Sequence, residues 1–135
     1  MKYILDTSAV SALMTDDASV IRRLEQHDRR DVSVPQPVFA EIAYGIARLP
    51  KSKRKDKLRL RFELIREELP VATWSDEVSD AFGQIKANLE KEGLRIEDFD
   101  VAIAAHARVR NAVLVTANVK HMSRVAGLVV EDWSD

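Results

Sequence analysis

The chain has 135 residues, of which 46% are hydrophobic and 32% charged, with no cysteine and a net charge of −1. This length predicts one domain with one core over residues 1–135, and the composition excludes disordered, collagen-like and low-complexity chains. The lack of cysteine excludes disulfides and thiolate-held zinc or iron–sulfur sites and favours the cytoplasm. Because Asp6 follows only three apolar residues, we expect no signal peptide and no membrane association. The nearly balanced charge gives no global attraction to nucleic acid, so a polyanion would have to meet a local patch.

In chain order, apolar runs and breaking residues predict short strands that alternate with helices. The predicted strands cover residues 3–5, 32–34, 71–74, 112–115 and 128–130, and the predicted helices cover residues 9–14, 18–27, 35–48, 51–69, 76–92 and 98–111. Short, continuously apolar strands between helices are typical of a parallel sheet that is covered on both faces. We therefore predict an α/β fold, a three-layer α/β/α sandwich around a central parallel sheet of four or five strands.

Polar residues that follow the predicted strands are the first candidates for a site, because ligands of open parallel sheets bind beyond the carboxyl ends of the strands. Asp6 directly follows the first strand, and Thr116 and Asn118 follow the fourth. Glu41 lies one helical turn beyond the second strand, and Asp100 begins an apolar helix. If the sheet brings these ends together, three or four carboxylates converge.

Two of these acids have a simpler alternative explanation. Glu41 borders the buried face of its helix, with Gly45 leaving space one turn later, but it could also be a solvated residue beside the core. Asp100 could cap its helix, as could Asp98 two residues earlier. We assign the cap to Asp98 and the ligand role to Asp100.

Converging carboxylates repel one another and require a compensating cation. With oxygen ligands only, no cysteine and no paired histidines, the expected ion is Mg²⁺ or Mn²⁺ rather than zinc. Such a site suits the hydrolysis of phosphodiester bonds, because the ion binds phosphate oxygens and activates water.

Four segments in this order and spacing resemble a known family across essentially the whole chain. They are Tyr3-Ile4-Leu5-Asp6-Thr7-Ser8, Val38-Phe39-Ala40-Glu41-Ile42, Asp100-Val101-Ala102-Ile103-Ala104-Ala105, and the final stretch with Leu114-Val115-Thr116-Ala117-Asn118, Gly127-Leu128 and Glu131-Asp132-Trp133. The chain resembles PIN-domain ribonucleases of the VapC toxin type. The resemblance implies a PIN-like fold and makes Asp6, Glu41 and Asp100 the ligands of Mg²⁺, with Mn²⁺ as a substitute.

The resemblance also implies supporting residues. Thr7 or Ser8, together with Thr116, would provide hydroxyl groups near the metal. Many relatives have an acid where this chain has His121, which leaves one or two metals open. Asn118 could still assist through its oxygen.

By the same resemblance, the protein is a metal-dependent endoribonuclease and the toxin of a toxin–antitoxin pair. Its expected partners are a tRNA or rRNA loop as substrate, a VapB-type antitoxin and a second copy of itself. Because His121 departs from the family pattern, a catalytically silent RNA- or partner-binding module stays open as the alternative.

The chain lacks the residues that other catalytic classes require. A haloacid-dehalogenase-type phosphatase needs a second acid two residues after Asp6, where this chain has Ser8. A phosphoacceptor receiver domain needs an acidic pair near the N-terminus, and a serine hydrolase needs a glycine-flanked nucleophile. Neither pattern is found.

Residues 51–61 form a basic segment with seven cations and one acid, a net charge of +6. This concentration predicts a surface for RNA phosphates, although a solvated helix face or an acidic partner explains it equally well, since no aromatic residues interleave. Of the histidines, His106 lies about 120° around the helix from Asp100, so we expect a core residue. His27 suits the negative end of its helix.

Overall fold

The computed structural model describes residues 1–134 and shows five parallel strands in one sheet with helices around it. The strands are β1 (Tyr3–Leu5), β2 (Val32–Pro35), β3 (Val71–Ala72), β4 (Val113–Val115) and β5 (Val130–Glu131). The helices are α1 (Thr7–Met14), α2 (Ala18–Glu25), α3 (Gln36–Ala47), α4 (Lys53–Glu68), α5 (Asp76–Lys91), α6 (Asp98–Val109) and α7 (Val119–Met122), with a 3-10 turn at Arg29–Asp31. Up to residue 134, no helix is long and apolar enough to cross a membrane.

The strand order is β3-β2-β1-β4-β5, so β1 lies in the middle of the sheet. This arrangement confirms the predicted α/β fold with a central parallel sheet. Leu5 pairs with Val115 at the ends of β1 and β4. The next residues, Asp6 and Thr116, therefore emerge side by side at the carboxyl edge, and the Asp6 amide donates to the Val115 carbonyl at 3.0 Å.

Helix α6 forms the most deeply buried helical segment around the sheet, because every residue from 101 to 107 is buried. His106 within it is fully buried, which confirms the prediction of a core histidine. Burial, with the nearby positive charge of Arg110, lowers its pKa to about 4. This histidine is therefore neutral at physiological pH and takes no part in the candidate site.

The C-terminal segment differs from the prediction. Strand β5 begins at Val130 rather than at residue 128, because Gly127 adopts a positive φ of 76° and the chain is still turning there. Helix α2 ends at Glu25, two residues before His27, whose amide donates to the Leu24 carbonyl of the last turn at 3.1 Å. The His27 ring lies 4.3 Å from the Tyr3 ring and 5.3 Å from the Trp133 ring and so connects the C-terminal segment to β1.

The predicted cap of α6 is wrong. The residue before the helix is Glu97, which makes no capping hydrogen bond through its side chain, and Asp98 is the first residue of the helix. Asp98 instead pairs with Lys86 of α5, with 3.0 Å between Oδ1 and Nζ. Because α5 packs along α6, the cation of the neighbouring helix engages this carboxylate in place of the helix amides.

Candidate functional site

Asp6 is the most enclosed acid of the candidate site, with 4% of its surface exposed. Its Oδ1 accepts hydrogen bonds from the Ser8 hydroxyl at 2.6 Å and from the Ala9 amide at 2.9 Å. The second bond caps α1, as the Asp-Thr-Ser sequence favours. Because both bonds are made to Oδ1, the Oδ2 atom is the one available to a ligand.

Glu41 faces the start of α1 from α3. The Thr7 hydroxyl donates to its Oε1 at 2.5 Å, across 34 residues of sequence. The side chain is half-buried, so it is neither a core residue nor a freely solvated one. A Cβ atom added at Gly45 would meet nothing within 4 Å, so the space beside Glu41 does not depend on that glycine.

Asp100 shows that the three acids share one electrostatic environment. Burial is the largest cause that raises the pKa of Asp100 to about 6, followed by the negative charges of Glu41, Asp6 and Glu97, in that order. Interactions of this kind act over a few ångströms to about 10 Å. The fold therefore brings Asp6, Glu41 and Asp100 from β1, α3 and α6 to one place at the carboxyl edge of the sheet.

Thr116, Asn118 and His121, which follow β4, lie next to this acid cluster. The Thr116 hydroxyl is buried and accepts from the Asn118 amide at 2.9 Å, so it shapes the turn and its oxygen is already engaged. Asn118 Oδ1 lies 2.8 Å from His121 Nδ1, a hydrogen bond when that nitrogen is protonated. His121 faces the acids, because its positive charge lowers the pKa of Asp100.

The two adjacent hydroxyl residues of α1 have separate partners. Thr7 holds Glu41, whereas Ser8 donates to Asp6 and accepts from the Ala117 amide at 3.0 Å. Ser8 thus connects the turn after β1 with the turn after β4. The sequence left open whether Thr7 or Ser8 supports the acids, and the structure places both beside them.

The donor set suits a hard divalent cation, but it is not a preorganised cage. Three carboxylates with hydroxyl oxygens around them offer the ligands that Mg²⁺ and Mn²⁺ prefer. Within residues 1–134, however, no three His, Cys, Asp or Glu side chains are arranged to hold a metal ion. The negative charges of Glu41 and Asp6 raise the pKa of Asp100, so the acids repel one another, and a cation between them would turn this repulsion into attraction.

Comparison with known proteins decides the family. The PIN domain profile matches residues 3–128 of this chain. The chain belongs to the PIN-domain family. PIN-domain ribonucleases generally depend on a divalent metal ion.

Individual PIN-domain relatives match over almost the full length. Ribonuclease VapC2 of Rickettsia felis is 32% identical over 135 residues, covering 98% of each chain. The tRNA(fMet)-specific endonuclease VapC of Shigella flexneri is 28% identical, covering 99% of each chain. The crystal structure of VapBC2 from Rickettsia felis, bound to a DNA fragment from their promoter, superposes with a TM-score of 0.88 at 29% identity, covering 99% of this chain and 100% of that one.

Sequence reasoning missed a pocket next to the acids. It has a volume of about 430 Å³ and is lined by Phe99, Lys86 and Arg95 together with Asp100 and His121. The sequence signal for this pocket is Phe99, a large aromatic residue between Asp98 and Asp100 at the start of a helix that is mostly buried. The Phe99 ring is exposed to water and therefore contributes nothing to the hydrophobic core.

Replacing Ser8 by Ala should lower both stability and activity. The change removes the hydrogen bond to Asp6 and the one from the Ala117 amide that connects the turns after β1 and β4, which should cost about 1–2 kcal/mol of unfolding free energy. It also frees Asp6 to rotate, so we expect cleavage to slow by roughly tenfold. Urea unfolding and RNA cleavage rates measure the two effects. Ser33→Ala is the matched control, since the half-buried Ser33 makes no side-chain hydrogen bond in residues 1–134, and equal losses in both variants would contradict the role of Ser8.

Proposed function

We propose that this protein is a metal-dependent endoribonuclease that acts as the toxin of a toxin–antitoxin pair, with residues 1–135 as one PIN-like nuclease domain. The convergence of Asp6, Glu41 and Asp100 at the carboxyl edge of the sheet carries the proposal. The family supports the nuclease activity, since full-length relatives are named ribonuclease and tRNA(fMet)-specific endonuclease.

In the proposed mechanism, Asp6, Glu41 and Asp100 would hold Mg²⁺, with Mn²⁺ as a substitute. A divalent ion held there would supply charge neutralisation of the phosphate, activation of water and stabilisation of the leaving oxygen. Thr7 and Ser8 fix the orientation of Glu41 and Asp6 through their hydroxyl hydrogen bonds, which leaves Asp6 Oδ2 for a ligand. Hydrolysis adds the water oxygen to phosphorus, breaks one phosphorus–oxygen bond of the RNA chain and leaves a proton on the departing oxygen.

The partners follow from the relatives. The neighbouring VapBC2 structure contains both a VapB and a VapC component. We expect this chain to bind a VapB-type antitoxin and to form a homodimer in the cytoplasm. A tRNA is one candidate substrate, as for the relative from Shigella flexneri, and an rRNA loop is another.

A silent RNA- or partner-binding module is the second candidate. It is favoured by the absence, within the described residues, of three side chains already arranged to hold a metal. His121 adds to this case, because by the resemblance it takes the place of an acid in the family pattern.

Brief induction in cells, followed by mapping of RNA 5′ ends, separates the two candidates. The endoribonuclease should produce new ends at one or a few loops within minutes, before growth stops. The same mapping identifies the RNA that is cut. Tight RNA binding without new ends would contradict the enzyme and support the silent module.

The basic segment at residues 51–61 is a second surface that we assign to RNA. The cations of this segment differ in whether they have a partner within the protein. Lys55 donates from Nζ to the carbonyls of Ala47 and Leu49, and Arg61 pairs with Asp16, so both are structural. The other five are exposed and make no ion pair within residues 1–134: Lys51, Lys53, Arg54, Lys57 and Arg59.

Replacing Lys53, Arg54 and Lys57 by Gln should weaken RNA binding and flatten its salt dependence. Each lost phosphate contact on single-stranded RNA lowers the log–log slope by roughly 0.7, so the triple variant should lose about 2. Fluorescence polarisation at several salt concentrations measures the slope. Arg22→Gln, an exposed cation of α2, is the control. An unchanged slope in the triple variant would remove this segment from the RNA surface.

A further inference from the structure

Two pockets adjoin the acid cluster and share different residues with it. The first has a volume of about 430 Å³ and shares Asp100 and His121 with the cluster. The second has a volume of about 390 Å³ and shares Thr7 and Glu41. With the scissile phosphate at the acids, as the proposed function has it, the adjoining nucleotides would enter these two pockets.

Each pocket contains one exposed aromatic ring. Phe99, in the first turn of α6, is 48% exposed, and Tyr44, on α3 just after Glu41, is 67% exposed. Within residues 1–134, neither ring stacks on another aromatic ring. Both rings therefore have a face available for a planar partner, and nucleobases stack on such rings regardless of their sequence.

Each pocket is also lined by cations, which can bind phosphate. Arg95 and Lys86 line the first pocket, although Lys86 is paired with Asp98. Arg48 and Arg54 line the second, and neither is in an ion pair within the described residues. The Arg48 guanidinium lies 5.9 Å from the centre of the Tyr44 ring. An aromatic face next to unpaired cations is the combination that binds single-stranded nucleic acid.

The geometry points to a path for single-stranded RNA across the acid cluster, with the bases on either side of the cleaved phosphate stacked on Phe99 and on Tyr44. This inference rests on the proposed function and extends it to the form of the substrate. A duplex cannot use the two rings, because its bases are already stacked on one another and present only their edges. The site therefore selects loops and unpaired segments.

The two pockets would bind RNA through different interactions. Arg95 meets a phosphate on the Phe99 side, and Arg54, at the start of the basic α4, meets one on the Tyr44 side. The acids Glu97 and Asp98 also line the first pocket and repel phosphate there. The Phe99 side thus depends more on stacking, and the Tyr44 side more on charge.

Binding of a mixed-sequence single-stranded RNA of about 12 nucleotides, measured by fluorescence polarisation in chelator, tests the path without any cleavage. Phe99→Ala and Tyr44→Ala should each raise Kd by about tenfold, whereas Phe99→Tyr and Tyr44→Phe should remain near wild type. The control is Leu64→Ala, because Leu64 is 53% exposed, lies outside the basic segment and lines neither pocket. The same RNA annealed to its complement should bind at least tenfold more weakly than the single strand and be insensitive to both Ala variants.

A second measurement separates stacking from a general surface effect. Arg95→Gln should lower the log–log salt slope by roughly 0.7, while Phe99→Ala should raise Kd without changing the slope. Unchanged Kd values in both Ala variants, or equal loss on single strand and duplex, would overturn the path. If Tyr44→Ala affects only the binding of a VapB-type antitoxin, the second pocket belongs to a protein partner and the path is likewise overturned. If the wild type binds RNA through both rings but cuts none, the proposed function fails while the path stands.

Discussion

Replacing Asp6 or Asp100 by Asn should reduce RNA cleavage by at least a hundredfold and leave the fold intact. Loss of one ligand removes both water activation and charge stabilisation, an effect on the order of 3 kcal/mol or more. The fold should survive, because an Asn side chain at position 6 can still accept the hydrogen bonds from Ser8 and Ala9 through its oxygen. Initial cleavage rates with saturating Mg²⁺ measure the loss, and circular dichroism checks the fold.

The matched control is Asp80→Asn. Asp80 is exposed on α5 and makes no ion pair or side-chain hydrogen bond within residues 1–134. It changes the net charge by the same amount, so its cleavage rate should stay within a factor of two of wild type. Near wild-type turnover in either Asp6→Asn or Asp100→Asn would mean that the site is misplaced.

In chelator at pH 7, Asp100→Asn should be more stable than the wild type. The pKa of Asp100 is about 6 in the folded protein against 3.8 for an ordinary carboxyl, so folding favours the protonated form. A shift of this size in a fully enclosed group corresponds to roughly 3 kcal/mol. Solvent screening and the favourable helix dipole at this half-buried first-turn position reduce the expected gain to about 1 kcal/mol. Thermal melts should rise by about 3 °C.

The pH dependence of this gain has a defined sign. Below pH 3.8, Asp100 is protonated in both the folded and the unfolded protein, and the carboxyl costs nothing. As pH rises from 3.8 through 6, the unfolding free energy of the wild type falls. The folded protein binds the Asp100 proton more tightly than the unfolded protein does, and it must give this proton up. The advantage of Asp100→Asn should therefore be full above pH 6 and vanish near pH 4. A constant difference across this range, or a variant that melts lower at pH 7, would contradict the repulsion among the acids.

The strand ends of the site could be predicted from the sequence because the determinants are local. Tyr3-Ile4-Leu5 is too short and too apolar for anything but a buried strand, and Asp6 is the first polar residue after it. The same holds for Val115 and Thr116. Once both strands are parallel neighbours, the edge of the sheet brings Asp6 and Thr116 together.

Pairings between distant residues could not be predicted in the same way. That Thr7 holds Glu41 while Ser8 holds Asp6 depends on how α1 and α3 pack, which spacing along the chain does not encode. The assignment of the cap to Asp98 failed for a related reason, because Lys86 of α5 provides a better partner than the helix amides. Helix α7 was missed, since four residues carry too little periodicity to be distinguished from a turn.

The identity of the metal ligands, the ion, the homodimer and the cytoplasmic location stay predictions. The fold and the family are confirmed. The proposed RNA cleavage depends on one further claim, that Asp6, Glu41 and Asp100 together bind a divalent cation.

Calorimetric titration of Mn²⁺, and then of Mg²⁺, into the purified protein at pH 7 tests that claim most directly. The wild type and Asp80→Asn should show the same saturable binding, and Asp6→Asn, Glu41→Gln and Asp100→Asn should each weaken it by about tenfold or more. Metal binding of equal strength in all five proteins, or none in the wild type, would contradict the claim and favour the silent binding module.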